Sequence, residues 1–157
     1  MYGFILDAAD MRKLKGVNDM SISTTELLNR LTKSDDVKQF IDKYENEFLE
    51  LSFTEFLNEL LVKNDLSLST VVRRSGQSDY VYKVFRGERK PSRDITLAIA
   101  IGMSLTLDET QLLLRVAKLA ALDPRDKRDS VIIYGLNEKL EVAQINDLLY
   151  ELNEATL

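Results

Sequence analysis

Helix-start signals recur along this chain from one end to the other. A serine or threonine followed three residues later by glutamate appears at Ser23–Glu26, Ser52–Glu55 and Thr106–Glu109. At that spacing the hydroxyl takes a backbone N–H of the first helical turn while the carboxylate reaches back to the cap. Apolar residues recur at intervals of three and four, strand-like alternation is nearly absent, and only two prolines and six glycines interrupt 157 residues. That punctuation predicts an all-α protein.

Segment by segment, Ser23 opens a first helix, and Val37, Phe40, Ile41, Tyr44 and Phe48 then form an apolar stripe expected to pack into a core. Ser52 and Glu55 start a helix through Phe56, Leu57, Leu60 and Leu61, ended by Asn64 and Asp65. Ser67 caps a short helix, Leu68 to Arg74, that stops at Ser75-Gly76, and a second, Ser78 to about Arg86, stops at Gly87. Glycine closes a helix at such places because it adopts the left-handed conformation freely. Ser92 caps an apolar helix with Ile95, Ala98, Ile99 and Ile101, and Thr106 opens one with Leu112, Leu113, Val116 and Leu119. Asp123-Pro124 is expected to start a helix through Val131, Ile132 and Tyr134. The last helix carries Val142, Ile145, Leu148, Leu149 and Leu152 on one face. The domains expected are a helical extension over 1–50, a central domain over 51–121 and a second helical extension over 122–157. Within the first, Met20 would open a sensible protein by itself, so residues 1–19 read as an additional segment.

The residue inventory removes several chemistries. The chain has no cysteine and no histidine, so disulfides, thiol nucleophiles, common zinc sites and histidine-based catalysis drop out together. Phosphate-cradling glycine loops of the GxxxxGK[ST] or GxGxxG kind are absent. The carboxylates lie scattered on helices, where a solvated face is the ordinary role. No enzyme activity, cofactor or metal is expected. No apolar run reaches the roughly 18–20 residues of a membrane span, the first residues do not read as a secretory leader, and the missing cysteines fit a cytoplasmic protein.

Net charge is −5, but its distribution is uneven. Between residues 73 and 93 stand seven basic side chains (Arg73, Arg74, Lys83, Arg86, Arg89, Lys90, Arg93) against Asp79 and Glu88, giving +5 on an otherwise acidic chain. A basic window on an acidic body can neutralise phosphates locally.

Two short helices around a glycine turn, a basic loop and an apolar helix also carry a family likeness. The stretch LSLSTVVRRSGQSDYVYKVFRGERKPSRDITLAIAIGMSLTLDE resembles the Cro/C1 (XRE-type) helix-turn-helix family, with its LS opening, central glycine turn, glycine-ended recognition helix, and PS before an apolar helix. The domain likeness covers about residues 53–118. A wider likeness to Firmicute XRE-family proteins with a helical C-terminal extension, through LDPRDKRDSVIIYGLNEKLEV, runs from about 23 to 153. The resemblance implies a lambda-repressor-like bundle with N- and C-terminal helical extensions, a bacterial transcriptional regulator that reads double-stranded DNA, and a homodimer on paired half-sites. The runner-up on the same scaffold is a protein-interaction adaptor or antitoxin-like partner. The resemblance places Ser78, Asp79, Tyr82 and Lys83 at the bases, and Ser67, Arg86, Arg89, Lys90, Ser92 and Arg93 at phosphates. The chain departs from the family pattern at Leu68, where glutamine is frequent, and is one residue shorter between Leu66 and Gly87. Two registers therefore compete. Anchored on Gly87, Val81 and Val84 are buried while Ser78, Tyr82 and Lys83 face out. Anchored on Gly76, Tyr82 and Phe85 are buried while Asp79, Tyr80 and Lys83 face out. Small β-branched residues suit a tight helix pair, which favours the first.

Overall fold

The computed structural model describes residues 22–48 and 52–157, and the additional segment at 1–19 lies outside them. Among the described residues the regular structure is entirely helical. The chain divides into two compact units at residues 50 and 51.

The first unit holds α1 (Thr24–Thr32), α2 (Val37–Lys43) and a short 3₁₀ turn (Glu45–Glu47). Ser23 caps α1 by accepting the Glu26 N–H, but the Glu26 carboxylate turns to Arg30 at 2.7 Å. Arg30 also donates to the Tyr44 hydroxyl (3.2 Å), and the Tyr44 ring lies 4.7 Å from that of Phe40. The expected core stripe is mostly uncovered. Phe40 is buried, whereas Val37, Ile41 and Phe48 stand 59%, 46% and 45% exposed. Val37 and Ile41 lie within α2 beside the buried Phe40, while Phe48 lies beyond the end of α2 at Lys43, where the chain no longer keeps helical spacing.

The second unit runs through α3 (Phe53–Lys63), α4 (Leu68–Ser75), α5 (Ser78–Phe85), α6 (Arg93–Gly102), α7 (Leu107–Val116), α8 (Lys127–Asn137) and α9 (Val142–Glu151). Helix α6 is its axis. Its sequence carries no charge after Asp94, and every residue from Thr96 to Gly102 is buried. A helix apolar on all sides must be wrapped, and here α4, α7 and α9 pack around it. Helix α4 comes closest at Gly102, where a Cβ would lie 3.1 Å from both the Val71 carbonyl oxygen and the Ser75 nitrogen. The opposite side of α6 joins Leu97, Ala98 and Ile101 to Leu114, Leu122, Val131, Ile132, Leu136, Val142, Ile145 and Leu149 in one core. The expected boundary at 121/122 therefore falls inside a shared core, and α8 and α9 are structural parts of this unit.

Most local expectations for helix ends hold, but not all. Thr106 and Glu109 form a reciprocal capping box. Ser52 caps α3 without a side-chain bond. Helix α8 begins at Lys127 under Asp126, three residues beyond Pro124, because the Asp123 side chain accepts the Arg125 N–H (2.8 Å) and makes a turn of its own. Leu152 lies beyond the end of α9 and is exposed. One recurring device has no glycine to signal it: Asp65, Ser104, Lys118, Lys139 and Asn153 all take left-handed φ values of 50–58° just after a helix. The N–H that follows each reaches five residues back, as in Leu140 to the Gly135 carbonyl at 2.9 Å. This is the Schellman closure, and its apolar cover is supplied at four of the five by a leucine, Leu66, Leu105, Leu119 or Leu140.

Candidate nucleic-acid interface

Helices α4 and α5 are eight residues each and joined by Gly76-Gln77, with Gly76 at φ 70°. Ser67 caps α4 by accepting the Thr70 N–H (3.2 Å) and is exposed. Val71, Val72 and Ser75 bury one face of α4, and Val81, Val84 and Phe85 bury one face of α5. An amphipathic helix needs three such positions per two turns to sit firmly, so α5 combines the two registers. It buries the valines of one and the phenylalanine of the other. Outward stand Asp79, Tyr80 and Lys83, with Tyr82 half-buried on the flank. Ser78 begins the helix.

The loop after α5 is held at several points. Gly87, at φ 75°, closes the helix, with the Glu88 N–H on the Lys83 carbonyl (2.9 Å). A Cβ on Gly87 would meet Thr54 Oγ1 at 3.3 Å. Asn58 Nδ2 donates to the Phe85 carbonyl (3.3 Å), and Tyr80 Oη donates to the Lys90 carbonyl (2.9 Å). Ser92 caps α6 by accepting the Ile95 N–H (3.3 Å). Tyr80 thus fastens the loop back onto the first turn of α5. Both Tyr80 and Asn58 were outside the predicted site; Tyr80 had signalled itself only as an outward residue in one register.

The seven cations of the basic window do not act together. Arg73 and Arg74, at the end of α4, line a cleft of about 660 Å³ against Glu141, Val142, Ala143 and Asn146 at the start of α9. Arg93 requires a correction. Its guanidinium donates to Asp129 Oδ1 (2.9 Å) and Oδ2 (2.7 Å) and to the Ala120 and Ala121 carbonyls (2.9 and 3.1 Å). With four of its five N–H groups engaged, it has little left for a phosphate. Lys83, Arg86, Arg89 and Lys90 remain, all exposed on α5 and its loop. Among the described residues Arg86 meets Glu88 alone, at 3.9 Å between two exposed side chains, a contact worth little in water. Arg89 and Lys90 also wall a cleft of about 380 Å³ shared with Thr54, Val116 and Lys118.

Asp129 explains why Arg93 is diverted. Its side chain is 8% exposed and also accepts the Asp123 N–H at 3.0 Å. Burial by itself would raise the pKa of this carboxyl. The Arg93 guanidinium, the Asp123 amide and the charge of Arg128 outweigh it and hold the group below the usual aspartate range. No group of three or more acidic side chains among the described residues is arranged to hold a metal ion, and no helix among them is long and apolar enough to cross a membrane. Compared with known proteins, the chain matches no family model, no curated protein and no solved structure.

Proposed function

We propose that this protein binds double-stranded DNA through α4, the Gly76 turn and α5, in the manner of a Cro/C1-type helix-turn-helix, and serves as a transcriptional regulator acting as a homodimer. One observation carries the reading. Lys83, Arg86, Arg89 and Lys90 are exposed on a short helix and a loop tied to each other by the Tyr80–Lys90 hydrogen bond. A helix presented this way fits the major groove, with the following cations on the phosphates that flank it. On this reading Asp79, Tyr80 and Lys83 face the bases, with Ser78 and Tyr82 beside them. Arg86, Arg89 and Lys90 face the backbone, with Ser67 and Ser92 as the hydroxyl contacts. Asp79 can accept a hydrogen bond from the cytosine amino group.

The test is fluorescence anisotropy with a random duplex of about 25 base pairs, titrated at several salt concentrations. Three phosphate-facing cations per protomer imply a log–log salt slope near −2.7 for each protomer bound, or about a fortyfold loss of affinity per protomer between 50 and 200 mM salt. Lys83→Glu and Arg89→Glu are expected to abolish binding with the helical content intact, and Lys90→Gln to flatten the slope by about one unit. Absence of duplex binding at 50 mM salt overturns the reading.

A second reading, a protein-interaction adaptor, has its own support in the first unit. Leu28, Leu31, Val37, Ile41 and Phe48 are all more than 40% exposed there, and apolar side chains of this kind, where they adjoin, form an association surface. It gains if duplex binding fails and a single protein is captured in stoichiometric amount, with capture lost on Ile41→Glu.

A further inference from the structure

The cationic loop ends at a residue whose partners lie far along the chain. Arg93, the first residue of α6, directly follows Ser92. Its two shortest fork bonds reach Asp129 on α8, 36 positions away, and the same carboxylate holds the Asp123 amide. The neighbouring residues repeat the arrangement with the charges exchanged. Asp94 on α6 accepts from Arg128 on α8 at 3.0 Å, and Arg128 donates onward to the Ala155 and Thr156 carbonyls (2.7 and 3.1 Å). Two consecutive residues at the start of α6 are thus crossed with two consecutive residues at the start of α8. A guanidinium–carboxylate fork fixes orientation as well as distance, so the start of α6, and with it the exit of the loop bearing Arg89 and Lys90, is set by α8.

We infer that the Arg93–Asp129 pair is a positioning element for the DNA-binding loop, so that Asp129 governs DNA affinity without touching DNA. The inference rests on the DNA-binding reading above. It predicts an effect opposite to that of plain electrostatics. Replacing Asp129 with asparagine removes a negative charge from the protein, which by itself strengthens attraction to phosphate. A positioning role makes the same change weaken binding, because the neutral amide cannot pair with the guanidinium in a bidentate fork. Arg93→Lys separates the two roles available to Arg93. Lysine keeps the charge a phosphate contact needs and loses the planar fork a positioning role needs.

The experiment measures duplex affinity against salt for the full chain and for Asp129→Asn and Arg93→Lys, each at a temperature where circular dichroism shows it folded. Both variants are expected to bind about tenfold more weakly, a magnitude in the range of couplings carried through packed networks, with the salt slope unchanged. Arg93→Lys, which keeps charge and most of the packing, carries the test alone if Asp129→Asn does not fold. Wild-type protein that binds DNA, with variants that bind equally well or more tightly, overturns this inference and leaves the DNA reading standing. Wild-type protein that binds no duplex removes both.

Discussion

The left-handed residues that close α7 and α8 offer a stability test with its control built in. Lys118 and Lys139 sit at φ 58° and 54°, and both side chains are exposed. A residue bearing a Cβ pays roughly 1–2 kcal/mol to stay in that region. Glycine pays no such steric cost but gives up an extra 0.5–1 kcal/mol or so of unfolded-chain freedom. The difference leaves Lys118→Gly and Lys139→Gly each more stable by about 0.5–1 kcal/mol, or about 1–4 °C in Tm for a chain of this size. The closing bonds, Leu119 N–H to the Leu114 carbonyl and Leu140 N–H to the Gly135 carbonyl, both 2.9 Å, remain in place. Alanine is the control. It removes the lysine side chain yet keeps the Cβ, so Lys118→Ala and Lys139→Ala should melt with the wild type. Aspartate and asparagine tolerate the left-handed region better, so glycine at Asp65 or Asn153 should gain less. Thermal and urea melts of the set decide the matter. If glycine and alanine behave alike at 118 and 139, conformational strain is not what these sites store.

Two further outcomes follow from packing and charge. In Gly135→Ala the new Cβ would overlap Cγ1 and Cδ1 of Ile145, which is fully buried and has nowhere to turn. Overpacking of roughly 1–3 kcal/mol outweighs the ~1 kcal/mol that alanine contributes as a helix former, so the variant should unfold earlier in urea, and adding Ile145→Val should recover part of the loss. The Asp129 and Glu109 carboxyls are both held below their usual pKa: burial opposes the shift in each, and Arg93 with the Asp123 amide, or Lys63 with Thr106, outweighs it. A carboxyl depressed in the folded state adds stability above its unfolded pKa, about 4, and loses it as pH falls through the lower folded value. Thermal stability should therefore stay level from about pH 8 to 6, where the chain has no histidine to titrate, and decline below about pH 5. Asp129→Asn and Glu109→Gln should each flatten that acid limb, and an unaltered limb in both would show that these pairs do not set it.

What the chain's own order determined was local. Helix starts at Ser23, Ser67, Ser92 and Thr106 and the helix end at Gly87 are closed by hydrogen bonds spanning three to five residues, and Gly76 ends its helix by its own left-handed conformation, so the residues that make them are adjacent in the text. The same holds for the all-helical class, which sums such local choices. Tertiary structure decided which of the cations are free. Arg89 and Arg93 look alike in a basic window, and only the arrival of α8 binds one of them to Asp129, 36 residues on, and leaves the other in solvent. It also decided that Lys118 and Lys139 would close helices as glycine usually does, because the leucines that follow find a core to cover. A charge pair or an apolar cover depends on which surface is brought to it, and sequence spacing holds no record of that meeting.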